Sequence, residues 1–306
     1  MSAPERLEIG REVPSSAGKS RDRRRGSTWR LLGTQVLAEV RRFRRVPEYV
    51  IGVVAIPVIL FAMFGLPGGH TRLPGGTAVG ALTLVSFACF GVVNQALFSF
   101  GAELAGDRGK GWLRRLRATP MPMWVYFAGK LAMNLVFTAA ILAGTVAVAL
   151  VGGIRLDAAR VLLVAVVLGF GCVTLSPMGA AIAYWVRPRA ASTIANLVFL
   201  PLSFASGLLY PIGALPGPLQ QLAPWLPTYH LGHLAWTAMA ARPEDLGVFG
   251  GSGAEHAGSG AGALGIDGLG GTAHVLLDVA VLVGWALVCA AVTVAGYRRD
   301  LDRERD

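Results

Sequence analysis

Two constellations in this sequence have residue types and spacings that chemistry could use. His230 and His233 stand three apart, so a helix would place both on one face. Two imidazoles at that spacing suit a metal. No carboxylate or cysteine stands near them in sequence to complete a ligand set, however, and the plainer expectation is a pair of interfacial histidines. The second constellation is ionic: Glu103 and Asp107, then Arg108, Lys110, Arg114, Arg115 and Arg117, closed by the breakers Pro120 and Pro122. It holds no nucleophile paired with a base, so it reads as a docking element and not as a catalytic one. The sequence has neither an HExxH nor a GxSxG motif. Gly18-Lys19-Ser20 is a fragment of a phosphate-binding loop, but Val13 stands where the first glycine belongs and no apolar strand precedes it. These residues predict no catalytic group, no metal and no nucleotide site in the chain.

The elements that position the ionic cluster follow from composition. The chain has 306 residues, 54% of them hydrophobic and only 15% charged, against roughly 25% charged in soluble domains. Its mean hydropathy is +0.55. So few charged groups cannot cover a soluble surface, and a multi-spanning, all-α membrane protein is the expectation. Cys89, Cys172 and Cys289 all lie inside apolar runs and read as small buried hydrophobes, not as a disulfide framework.

A membrane helix needs about 20 apolar residues. Six stretches meet this: 47–66, 77–101, 123–151, 161–186, 191–210 and 274–297. An even number of spans places both termini on one side. The segments on that side (1–46, 102–122, 187–190 and 298–306) hold 23 Lys and Arg, whereas the opposite segments hold only Arg72, Arg155, Arg160 and Arg242. Lys130 falls inside the third span near its start, where it is expected to snorkel. Positive charge gathers on the cytoplasmic side of membrane proteins, so both termini are expected in the cytoplasm of a cell-membrane protein. The net charge of +10 is thus spread over span ends and is not focused in a nucleic-acid groove.

Residues 1–28 are polar and without apolar period, as in a disordered basic tail near anionic lipid. From Trp29 the apolar residues Trp29, Leu32, Val36, Val40 and Phe43 recur at helical steps beside Arg41, Arg42, Arg44 and Arg45. That pattern predicts an amphipathic helix over 29–46 lying in the membrane interface. In the loop 102–122, acids precede bases along the chain, which suits a helix dipole, and Leu104, Trp112, Leu113 and Leu116 would form its apolar face. Residues 211–242 carry five prolines that cut them into pieces too short to span, with Trp225, Tyr229 and Trp236 as interfacial aromatics. Two short re-entrant outer helices before the last span are the expectation there. Residues 243–272 read as a flexible outer loop rich in Gly, Ser and Ala.

Polar residues inside the spans are costly and usually face a neighbouring helix or a cavity. Asn94, Gln95, Asn134, Ser176, Asn196 and Ser203 are of this kind, with Glu48 and Asp278 at span ends. Asn94, Gln95, Asn134, Asn196 and Ser203, with Ser206 and Gly207 just beyond, are the candidates for a substrate route, and helix–helix hydrogen bonding is the alternative use for each. No chain of intramembrane acids offers a proton relay.

The run from Glu103 through Asp107-Arg108-Gly109-Lys110-Gly111-Trp112-Leu113-Arg114-Arg115-Leu116-Arg117-Ala118-Thr119-Pro120, with Gly129-Lys130-Leu131 after it, resembles the signature loop of ABC type-2 transporter permeases. Trp112 replaces the usual Thr. Phe204-Ala205-Ser206-Gly207-Leu208-Leu209-Tyr210-Pro211, the later Leu215-Pro216, and Ile56-Pro57 in the first span are similar to further stretches of that family. The resemblance covers about residues 29–297. It implies a six-span half-transporter that exports drugs, lipids or polysaccharides. ATP and Mg would be bound by a separate ATPase subunit that docks on the 102–122 loop, and a second permease copy or paralogue would complete the pathway. It assigns coupling to Glu103, Asp107, Arg108, Trp112, Leu113, Arg114, Arg115, Leu116, Arg117 and Pro120. A lipophilic compound is the preferred substrate and a lipid-linked glycan the alternative. A structural or assembly membrane protein without transport is the reading from another class.

Overall fold

The computed structural model describes Gly33 and residues 47–119, 122–240, 242, 245–246 and 271–302. The tail read over 1–28, the interfacial helix read over 29–46 apart from Gly33, Pro120, most of the outer loop 243–272 and residues 303–306 lie outside the described residues.

The described residues are helical, and their single β-bridge joins Arg72 to Ala78. Helix α1 is Pro47–Phe64. Helix α2, Val79–Leu97, runs through a π-helical turn, Phe98–Glu103, into α3, Leu104–Gly109. A short helix α4, Trp112–Arg117, follows, then α5, Met123–Val151, and α6, Ala158–Trp185. The remaining helices are α7, Ala191–Ala205; α8, Gly217–Leu222; α9, Pro227–Met239; and α10, Gly271–Asp302.

Four stretches are long and apolar enough to cross a membrane: Val79–Gly109, Met123–Val151, Ala158–Trp185 and Ala273–Asp302, of 28 to 31 residues. At about 1.5 Å per residue each exceeds 40 Å. The other two expected spans are shorter helices. α1 contributes Gly52–Phe64 to the apolar set, and α7 has 15 residues, roughly 23 Å. α7 stops early because Gly207, at φ 77°, adopts the left-handed conformation just beyond it, and the Leu208 N–H bonds back to the Ser203 carbonyl. The sequence read this span through to Tyr210. Its apolar character does continue, but its backbone turns.

α2 is the axis of the bundle. Of its most apolar window 83% is buried, against 17% for α10 at the rim. Small residues on α2 allow this: a Cβ on Gly91 would press on Ile141 of α5 and Pro57 of α1, and one on Gly80 would meet Ile154. The closest approach is at Gly179 of α6, where a Cβ would overlap the Ala96 carbonyl oxygen. The main core joins α1, α2, α5, α6, α7, α9 and, through Leu282, α10. A second, smaller core sits at the arginine-rich end: Phe100, Leu104, Leu113, Tyr126, Ala183 and Tyr184 belong to it. It holds the ionic loop in place.

Candidate functional site

The loop between α2 and α5 is built from its buried acids outward. Lys130 is 2% exposed and its Nζ lies 2.9 Å from the Glu103 Oε2. The lysine therefore does not snorkel. It points across to the π-turn, and burial of this cation is matched by a carboxylate on the adjacent element. One helical turn further on, the Tyr126 hydroxyl donates to Asp107 Oδ2 at 2.8 Å. Both acids of the loop are thus tied to the first two turns of α5. The two ties are spaced at four residues on each partner, one helical turn apart.

Arg108 faces the other way. Its Nη1 and Nη2 donate to the carbonyls of Tyr184 and Val186 at 2.7 and 3.0 Å. These are unpaired acceptors at the C-terminal end of α6, where a cation also meets the helix dipole. Arg108 sits over the Tyr184 ring and 3.9 Å from Asp300 of α10. Gly109 lies so close to Pro188 that a Cβ would come within 2.7 Å. At Gly111, φ 69°, the backbone turns left-handed, which divides the loop into α3 and α4. The single helix with one continuous apolar face that the sequence suggested is therefore two helices. Leu104 and Leu113 are buried, Leu116 is half-buried, and Trp112 is 46% exposed, off the apolar face.

Within α4 the arginines divide. Arg117 lies over the Tyr297 ring of α10 at 4.9 Å, while Arg114 and Arg115 are exposed beside Trp112. A cleft of about 240 Å³ opens between this helix and the ends of α6 and α10, lined by Arg108, Gly109, Leu113, Arg114, Arg117 and Asp300. One face of the loop is anchored to α5, α6 and α10, and the other exposes the Trp112 indole and the Arg115 guanidinium, with Arg114 at the rim of the cleft.

The substrate-route candidates differ in burial. Gln95 and Asn134 are each 1% exposed and Ser203 is fully buried. Both amide atoms of Gln95, the Nδ2 of Asn134 and the Oγ of Ser203 have no partner among the described residues. Ser206 bonds to the Leu202 carbonyl and to the Thr228 hydroxyl of α9, so with Gly207 it belongs to a helix joint. Asn94 is half-buried and Asn196 exposed. No hydrogen bond joins any two of these seven.

Sequence reasoning missed two polar joints at the opposite end. His230 Nδ1 and His233 Nδ1 lie 2.6 and 2.7 Å from the two oxygens of Asp278. His230 and Asp278 are both buried, and the His230 Nε2 is 2.8 Å from the Pro224 carbonyl. The carboxylate absent from the local sequence comes from α10, 45 and 48 residues away. The i, i+3 histidines and an acid in an apolar run were the signals for it. No group of three His, Cys, Asp or Glu among the described residues could hold a metal, and the cluster clasps α9 to α10. Trp236, expected at the interface, is fully buried and donates to the Ser86 hydroxyl at 2.8 Å. In the second joint, Asp245 accepts from Gly75 N, Thr77 N and the Thr77 hydroxyl at 2.7, 3.1 and 2.5 Å. Burial pushes this carboxyl up, but those donors outweigh it and hold the group below the ordinary aspartate range.

A family model described as ABC-2 type transporter matches residues 30–238, more than half of the chain and all of the loop just described. The chain belongs to the ABC-2 type transporter family. Among curated proteins it is similar to "Putative transport permease YvfS" of Bacillus subtilis (strain 168), 24% identical over 207 residues that cover 67% of this chain and 84% of the relative. The membership makes this ABC-2 chain a multi-pass membrane protein and a transport permease, in keeping with its four long apolar helices.

Proposed function

We propose that this ABC-2 permease is the membrane subunit of an ATP-driven exporter that moves a lipophilic compound, such as a drug, an antibiotic or a lipid-like molecule, out of the cell. ATP and Mg are bound by a separate ATPase subunit, which grips the exposed face of α4. The transport unit holds two six-span permease chains, with α1 and α7 as the shorter spans and α8 and α9 as the re-entrant outer pair. The observation that carries the reading is the two-sidedness of the loop. Glu103, Asp107, Arg108 and Arg117 are engaged with α5, α6 and α10, while Trp112 and Arg115 are presented outward and Arg114 is exposed at the cleft rim. A part that only fixed topology would need the charge but not the anchors.

The test is a pair of double substitutions on the exposed face, in the chain co-expressed with its ATPase partner. Arg114→Glu with Arg115→Glu should release the ATPase on affinity purification, or leave its hydrolysis uncoupled from efflux, because paired charges across an interface set docking and register. Arg114→Lys with Arg115→Lys should lower transport partway, since Lys keeps the charge and loses the two-pronged hydrogen bonding of Arg. Full activity in the Lys pair, combined with nothing more than altered topology in the Glu pair, would remove the coupling role.

A further inference from the structure

A second cleft, of about 440 Å³, opens at the same end, between the C-terminal ends of α6 and α10; it shares Arg108 and Asp300 with the first and extends away from α4. Arg108, Trp185, Arg187, Gly296, Arg299 and Asp300 line it. Asp300 is the acid of the cleft and is matched by Arg108 at 3.9 Å. Arg187 and Arg299 are exposed and carry its excess positive charge. Arg299 lies over the Trp185 ring, and the Trp185 indole, 53% exposed, donates to the Val292 carbonyl. Gly296 makes the room, because a Cβ there would crowd Tyr184 and the indole nitrogen of Trp185.

The cleft sits at the level where α10 changes character. Below it, toward the bundle middle, Leu287, Val288, Val292 and Val294 are exposed apolar side chains on the least buried of the four long helices. Above it come Arg298 and Arg299. An apolar wall, an indole at the boundary and two cationic arms at the rim match the parts of one molecule: acyl chains, glycerol backbone and an anionic phosphate headgroup. A soluble protein partner would meet the charge but would have no use for the apolar wall. We propose that this cleft binds the headgroup of an anionic phospholipid of the surrounding leaflet, with Arg187 and Arg299 holding the phosphate and the chains lying along α10.

The purified full chain in detergent is titrated with dioleoyl phosphatidylglycerol and, separately, with dioleoyl phosphatidylcholine, and retained lipid is counted by native mass spectrometry. Because basic groups near an anionic lipid each contribute appreciably, the expected preference for phosphatidylglycerol is on the order of tenfold. Arg187→Gln with Arg299→Gln should bring it close to parity. Arg187→Lys with Arg299→Lys should keep most of it. Arg189→Gln with Arg298→Gln removes the same charge from the same end but from outside the cleft, and should leave the preference intact. Equal retention of the two lipids by the unsubstituted chain would overturn the proposal, as would equal losses in the two Gln pairs, which would mean a diffuse electrostatic effect. Displacement of phosphatidylglycerol by millimolar inorganic phosphate would also overturn it, by showing a site for free phosphate and not for lipid.

Discussion

At the scale of the residue, the ionic joints behave differently from the apolar contacts around them, because each buried charge depends on one partner. Lys130 is almost wholly buried against Glu103. Lys130→Met leaves the Glu103 carboxylate facing a low-dielectric wall, a change that costs about 3–5 kcal/mol where a buried pair is broken; solvent at the partly exposed Glu103 reduces it toward the lower end. Glu103→Leu in the Lys130→Met background should recover most of that loss, as replacing both ions by apolar groups usually does. Thermal denaturation of the detergent-solubilised single and double variants is the measurement. Asp245 gives a pH prediction. Its folded carboxyl titrates below the ordinary aspartate value because Thr77 and Gly75 donate to its charged form, in spite of the opposing effect of burial. A depressed folded value means the stabilisation is fully present above the unfolded value of about 3.9 and is lost as pH falls through the folded one. Hydrogen exchange over residues 75–78 should therefore be slow and unchanged from pH 7 to about 5, once corrected for intrinsic rates. In Asp245→Ala the same amides should exchange faster at every pH.

At the scale of the element, close packing of α2 against α6 is set by one glycine. A methyl group at Gly179 would meet backbone, the Ala96 carbonyl oxygen, and not the yielding end of a side chain. Gly179→Ala should force the two helices apart and sharply lower the yield of monodisperse protein in size-exclusion chromatography. Gly106→Ala, where no atom lies within 4 Å of the added carbon, should leave the profile unchanged or slightly improved, since Ala is the better helix former by about 1 kcal/mol. The long helices were legible in the sequence because apolar length is a local property: α2, α5, α6 and α10 fall where the hydropathy placed them. Their ends were less so. α7 stops at a turn made by Gly207, and the π-turn that carries α2 into α3 has no signal in periodicity at all. The joints between elements were least legible. Lys130 pairs with an acid 27 residues away and His230 with one 48 away, and nothing in the local sequence of either residue names its partner. The loop was legible as a charged element, but its division at Gly111 into two helices, and the side of α4 that stays exposed, are tertiary facts.

At the scale of the whole molecule, charge placement and fold make one claim together. The two exposed tips of the bundle differ in kind. At one end α4, the Arg187–Arg189 turn and the last turn of α10 carry arginines, while the other end, with the 65–78 turn, the 152–157 turn and the start of α9, carries few. Lys and Arg near span ends resist translocation, so the arginine-rich end is expected in the cytoplasm. The proposed function requires the same orientation, because an ATPase that grips α4 would draw on cytoplasmic ATP. The prediction is made on two exposed threonines at opposite ends, Thr71 and Thr119. In intact cells a maleimide that cannot cross the membrane should label Thr71→Cys and leave Thr119→Cys unlabelled until the cells are opened. The native Cys89 and Cys172 are buried and contribute little background, and Cys289 lies in the middle of α10. Labelling of Thr119→Cys in intact cells would invert the molecule and remove α4 from the reach of any cytoplasmic ATPase. It would also move the Arg187–Arg299 cleft to the outer leaflet, where anionic lipid is scarce in many membranes and where its charge would have no counterpart.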